Sequence, residues 1–128
     1  MPIALTPRSA LRALIVWGLL AFFVLGCIMN IAAPESVAAD YARWGYPDWF
    51  HYVTGVFEGA AAMLLARQVT RRKGALLAAL VMLGALATLL LNGEFGHALA
   101  PAILLIALGL CLYLDEKWLE ARWEGKVF

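Results

Sequence analysis

Charge is scarce in this 128-residue chain: Asp, Glu, Lys and Arg make up 15% of it, against 64% hydrophobic residues. Soluble proteins carry about 25% charged and about 45–50% apolar residues, and a small domain leaves a large share of its surface in water. A water-soluble fold is thereby excluded, and a mean hydropathy of +0.82 makes the bilayer the solvent. The net charge of +1 offers no basic excess to attract nucleic acid. Two cysteines, Cys27 and Cys111, are too few for a disulfide scaffold. On the topology derived below they lie roughly 15–20 Å apart in depth, at a rise of ~1.5 Å per residue. A disulfide needs Cα atoms within about 7 Å, so both are expected to be free thiols. The chain also lacks a Cys-x-x-Cys pair, a Gly-rich phosphate loop, a Ser-His-Asp set, an internal repeat and a Ser/Gly linker.

What fills the chain is apolar sequence. Four nearly uncharged stretches cover residues 14–33, 49–66, 74–91 and 98–114. A spanning helix takes about 20 residues, with about 17 as the lower end, and lipid leaves helices as the way to satisfy the backbone. The expected fold is all-α: a single membrane domain over 1–128 with four transmembrane helices. The first stretch, preceded by Arg8 and Arg12, also invites reading as a signal peptide. Its 20 apolar residues exceed the 7–15 of a signal core, which favours a retained helix. Of the ten Lys and Arg, nine fall in the N-terminus, the second connection and the tail, and Arg43 alone falls on the other side. Cytoplasmic loops collect positive charge. Both termini are therefore expected in the cytoplasm, with the protein in the plasma (inner) membrane.

The connections have their own chemistry. Residues 34–43 suit a short interfacial helix on the outer surface, with Tyr41 and Trp44 available to the headgroups. Gly45-Tyr46-Pro47 turns the chain, and Asp48 is a good N-cap for the second span. Trp44, Tyr46, Trp49 and Tyr52 form an outer aromatic belt, and Tyr113, Trp118 and Trp123 an inner one. Pro101 falls in the first turn of the last span, where a missing N–H costs little. Residues 115–123 continue as an amphipathic tail helix whose Leu119 and Trp123 share a face suited to lipid headgroups.

Glu58 is the most informative residue, a carboxylate some 13 Å below Trp49 in the second span. Intramembrane acids face the bundle interior and mark function or interhelical pairing. With no Lys or Arg at that depth, ionisation carries a desolvation cost that protonation removes. His51, Thr54 and Glu58 follow at i, i+3 and i+7, giving a polar helix face that runs from the outer boundary toward the midplane. Gly55 and Gly59 beside them allow close helix approach. Gly26 and Gly84 lie at similar depth on the first and third spans, where a glycine either packs backbones or leaves room for a ligand. Glu58, Thr54, His51 and Gly55 are thus the candidate ligand or proton site. Asn30, near the outer end of the first span, is a candidate for interhelical hydrogen bonding. At the outer edge, Asn92, Glu94 and His97 form a second polar cluster that with His51 has the makings of a mononuclear metal site. Ordinary capping explains the same residues, and no metal is expected. A di-iron bundle needs two Glu-x-x-His motifs, and Glu94-x-x-His97 is the one present.

From Trp44 to Pro101 the chain resembles the DoxX-like family of small four-helix membrane proteins. The likeness rests on Gly45-Tyr46-Pro47-Asp48-Trp49-Phe50, Thr54-Gly55-Val56-Phe57-Glu58 and the basic turn ending Arg72-Lys73-Gly74. It continues through Met82-Leu83-Gly84-Ala85, Thr88 and Pro101. The family's Gly-x-x-Glu element carries over onto Gly55 and Glu58. The resemblance implies an accessory subunit of a membrane redox system, with a pocket around Glu58 for a quinone or another lipid-soluble ligand. Other members of the wider group resemble assembly factors or cargo receptors, which implies instead a non-enzymatic interaction protein. The implied partners are the lipid bilayer and either a membrane redox complex or further copies of the chain. Without a redox-active cysteine pair, electron transfer by this chain alone is not expected.

Overall fold

The computed structural model describes residues 6–125 and is 85% helix with no strands among them; Lys126, counted above with the basic tail, lies outside these residues. Five helices follow in order: α1 (Pro7–Ala32), α2 (Glu35–Arg43), α3 (Phe50–Ala66), α4 (Arg71–Leu91) and α5 (Phe95–Trp123). Helices α1, α4 and α5 are long and apolar enough to cross a membrane, while α3 is an apolar helix of 17 residues. At ~1.5 Å per residue α3 is about 25 Å long, against about 30 Å of hydrocarbon. The four apolar helices pack in a ring, α1 on α3, α3 on α4, α4 on α5, and α5 back on α1. Phe23, Leu65, Leu108 and Cys111 are fully buried at its centre. Cys27 and Cys111 are free.

The helix ends are set by local chemistry. Thr6 caps α1 by accepting the Ser9 amide at 3.2 Å, with Pro7 in the first turn. Ala33 ends it in the left-handed region at φ 44°, its amide donating to Met29 O, and Pro34 then starts α2. Asp48 is not the cap of α3: Trp49 holds that position without a side-chain bond, because the turn over 47–49 already leads into the helix through the Phe50 amide to Pro47 O. At the far end, Thr70 Oγ1 donates to Leu64 O at 2.8 Å and Arg71 Nε to Leu65 O at 2.9 Å. These side chains satisfy carbonyls that the end of α3 leaves open. A Cβ on Gly74 would sit 2.6 Å from the Leu65 nitrogen, so α4 meets α3 there backbone to backbone.

One sequence expectation changes in α5. The helix begins at Phe95, so Pro101 lies in its second turn rather than its first, and the His97 carbonyl loses the amide that would normally reach it. The tail continues the same helix to Trp123. Its inner face is held by the bundle: Arg12 and Arg122 lie over the Trp118 ring at 4.6 and 5.2 Å. Leu119 and Trp123 remain exposed. Beneath them, Asp115 Oδ1 accepts from Arg12 Nε at 2.6 Å and Arg71 Nη1 at 2.9 Å, and all three side chains are largely buried.

Candidate functional site

Polar groups gather where the halves of α1 and α3 nearest α2 meet beneath it. The residue that joins them is Asn30. Its carbonyl has no intrahelical partner to receive, because the residue four positions on is Pro34 and carries no N–H. His51 Nδ1–H donates to that carbonyl at 2.7 Å instead, which fixes the ring's tautomer. The Asn30 side-chain amide donates to Glu58 Oε2 at 2.8 Å and to Gly26 O at 3.1 Å. Its oxygen accepts the Tyr41 hydroxyl at 2.9 Å. Burial raises the Tyr41 hydroxyl above the usual phenol range, so it remains a donor.

Glycines make room for this network. A Cβ on Gly26 would lie 2.7 Å from the Glu58 carboxyl; one on Gly55 would meet Ile31 at 3.0 Å, and one on Gly59 would meet Cys27 Sγ at 2.9 Å. The α1–α3 seam is thus closed by small residues, with Glu58 seated against bare backbone. Gly84 behaves differently: nothing lies within 4 Å of where its Cβ would be. It borders a cavity of about 350 Å³ between α3 and α4, toward the end where α2 lies. Tyr41, Trp44, Tyr46, Phe50, Thr54 and Thr88 contribute to its walls. Tyr46 stacks on Phe50 with centroids 4.4 Å apart, and its hydroxyl lies 2.6 Å from Thr88 Oγ1. Thr88 itself donates to Gly84 O at 2.8 Å, so the Tyr46 hydroxyl is the donor to Thr88. Thr54 holds the Phe50 carbonyl only at 3.5 Å.

The sequence candidates therefore divide. His51, Gly55 and Glu58 are buried and engage α1, while Thr54 lines the cavity. Helical periodicity accounts for the split. Residues seven apart fall within about 20° of each other, but Thr54 is rotated about 60° from His51, toward α4. Tyr41 belongs to both groups, with its hydroxyl on Asn30 and its ring in the cavity wall. Tyr41 and Trp44 therefore turn inward rather than to the headgroups.

At the same end of the bundle, Glu94 is held by three neighbours. Oε1 accepts from Trp44 Nε1 and Arg43 Nε, both at 2.9 Å, and Oε2 accepts from His97 Nδ1 at 3.0 Å. Asn92 turns away to the Thr88 carbonyl, and His51 is committed to Asn30. Among the described residues no three His, Cys, Asp or Glu side chains gather as a metal site would require.

Sequence reasoning placed Asn30 at a helix interface but missed Tyr41's part in the network; it counted Arg12 and Arg71 only as loop charges and Asp115 only as the start of the tail helix. The Pro34 that deprives the Asn30 carbonyl of a donor was the available signal for a polar partner there.

A sequence model of the DoxX-like family matches residues 14–111, which spans the four apolar helices up to Cys111 and includes the whole polar network. No curated protein matches the chain, and no solved structure does.

Proposed function

The chain belongs to the DoxX-like family, and from this premise we propose that it is a membrane subunit that holds a flat lipid-soluble molecule, of quinone type, in the cavity between α3 and α4. In this reading α3 spans the membrane with the three longer helices, both termini are cytoplasmic, and the membrane is the plasma (inner) membrane. The cavity carries the proposal. At about 350 Å³ it is in the range of small-molecule sites, and it combines aromatic walls with few polar groups. Its rings suit a planar headgroup. Thr54, whose bond to Phe50 O is long, places a hydroxyl in the cavity wall that can turn toward a ligand carbonyl. A bound quinone would supply the carriage of electrons and protons, which the side chains here do not. Glu58 does not line the cavity; it acts as a positioning residue, fixing Tyr41 through Asn30. The electrons would come from a membrane redox partner, which makes this chain an accessory subunit.

Two measurements test the reading. Purification in native lipid, followed by mass spectrometry of small molecules and proteins together, should recover a quinone. A stoichiometric protein partner with no small molecule would instead favour a non-enzymatic assembly role. In lipid discs a short-chain quinone should quench Trp44 fluorescence saturably. Gly84→Leu, which fills the cavity, should abolish that quenching, and Thr54→Val should weaken binding about tenfold. Quenching unaltered by Gly84→Leu would remove the cavity from consideration. The topology is checked separately by reporter fusions after Gly45 and Gly93, expected outside, and after Arg72 and Phe128, expected in the cytoplasm. A cytoplasmic reading at Gly45 would overturn it.

A further inference from the structure

The α2 segment is attached to the bundle in an unusual way. None of its residues is buried, and its packing on the four apolar helices is sparse. Yet the segment from α2 to the following turn supplies Tyr41, Trp44 and Tyr46 to the cavity wall. Side-chain hydrogen bonds do the fastening. Tyr41 reaches Asn30 on α1, Tyr46 reaches Thr88 on α4, and Trp44 with Arg43 reaches Glu94 at the head of α5. Each tie goes to a different helix. The segment begins after Ala33 in the left-handed region, at Pro34, and ends at Tyr46–Pro47, just past Gly45 at φ 83°. Both are places where the chain changes direction sharply without being locked into a helix.

A segment with little apolar burial and a few side-chain ties opens at a lower cost than the core it covers. The Glu94 tie differs from the other two in being charged. It is also compact: one carboxylate takes the Trp44 indole, the Arg43 guanidinium and the His97 ring. Arg43 is further shared with Asp40 on the same helix at 2.8 Å. Loss of that single carboxylate would free the C-terminal end of α2 while leaving the packed helices untouched.

We infer that α2 and the turn after it form a lid over the cavity between α3 and α4, and that Glu94 is the latch that keeps it closed. The lid controls access to the site from the outer face. This inference rests on the cavity being a binding site, as proposed above, but its test needs no ligand. Thr54→Cys places a thiol in the cavity wall, about one helical turn below the start of α3. Its reaction with a membrane-impermeant maleimide added from outside reads the opening of the lid, against a background set by the parent protein with Cys27 and Cys111. Tyr52→Cys, at a half-exposed position on the outer turn of α3, serves as the control.

The thiol at 54 should react slowly in the otherwise unaltered protein and about tenfold faster when Glu94→Ala is added, on the loss of charge-assisted bonds. Trp44→Phe, which keeps the ring and removes the indole donor, should give a smaller rise in the same direction. The thiol at 52 should be unchanged by either substitution. Equal rates at 54 with and without Glu94 would overturn the latch. Rapid reaction at 54 in the unaltered background would overturn the lid itself. Equal acceleration at 52 and 54 would mean that the whole outer end had loosened, which also refutes the inference. Quinone binding can succeed or fail independently of all three outcomes.

Discussion

The carboxyl of Glu94 is held down to about 2 by the His97 hydrogen bond first, then by those of Trp44 and Arg43. The folded value lies below the ordinary carboxylate value, so the unfolded chain binds the proton more readily in the interval between them. The contribution of Glu94 is therefore fully present above about pH 4.5 and is lost as pH falls through about 2. Facing it are the Arg43 guanidinium and the His97 ring, with Asp40 behind Arg43. A carbon-detected titration in lipid discs should give Glu94 a midpoint near 2. The Trp44 indole N–H should stay protected until the same interval, and Glu94→Gln should erase that dependence. A midpoint at 4 or above would contradict the geometry. Among single residues, Glu58 was legible in the sequence because an acid in an apolar span stands alone. Asn30 was legible as a polar residue at a helix end, though not as the centre of four bonds. Tyr41 was not, because its role depends on α2 folding back across the end of α1, which hydropathy does not encode.

Glycines at the level of helix pairs separate seams from spaces. Gly74 abuts the Leu64–Leu65 backbone, with the nearest atom at 2.6 Å from a would-be Cβ, whereas Gly84 has open space around it. Backbone cannot give way as a flexible side chain can. Gly74→Ala should therefore destabilise the protein by about 1–3 kcal/mol. Gly84→Ala should be neutral or stabilising by about 0.5–1 kcal/mol, since it replaces a mid-helix glycine with a better helix former. Unfolding midpoints in the same detergent check both, and a destabilised Gly84→Ala would mean that the space beside it is not there. The runs of apolar residues located α1, α3, α4 and α5 to within a few residues at most of their ends, except where the helices run on into polar sequence. α1 starts at Pro7 and α5 runs from Phe95 to Trp123, well past the apolar runs themselves. Hydropathy marks what must avoid water, whereas helix ends are set by caps and side-chain ties such as Thr6 to Ser9 and Thr70 to Leu64. That difference also moved Pro101 from the first turn to the second.

Across the whole molecule, the ring of four apolar helices is tied at one end by a single carboxylate. Asp115 on α5 accepts from Arg12 on α1 and Arg71 on α4, while Arg71 also donates to the Leu65 carbonyl at the end of α3. The charge count behind the expected orientation used Arg12 and Arg71 as loop charges. That count is blind to whether a basic side chain faces the headgroups or turns inward to an acid. Here both turn inward, leaving side-chain exposures of 16% and 9%. Asp115→Ala would leave two largely buried guanidinium groups facing each other without a counter-charge. The expected cost is about 3–5 kcal/mol, as for breaking other buried pairs. Asp115→Asn keeps the shape and one acceptor and should cost less. Replacing all three residues together, with Arg12→Leu, Arg71→Met and Asp115→Leu, removes the charges along with their desolvation and should recover much of the loss. Some deficit should remain, because the Leu65 carbonyl then loses the Arg71 donor. Equilibrium unfolding in mixed micelles, with the triple variant compared against Asp115→Ala, checks this order. If Asp115→Ala unfolds within about 0.5 kcal/mol of the unaltered protein, the cluster behaves as an exposed surface ion pair and does not hold the helices together.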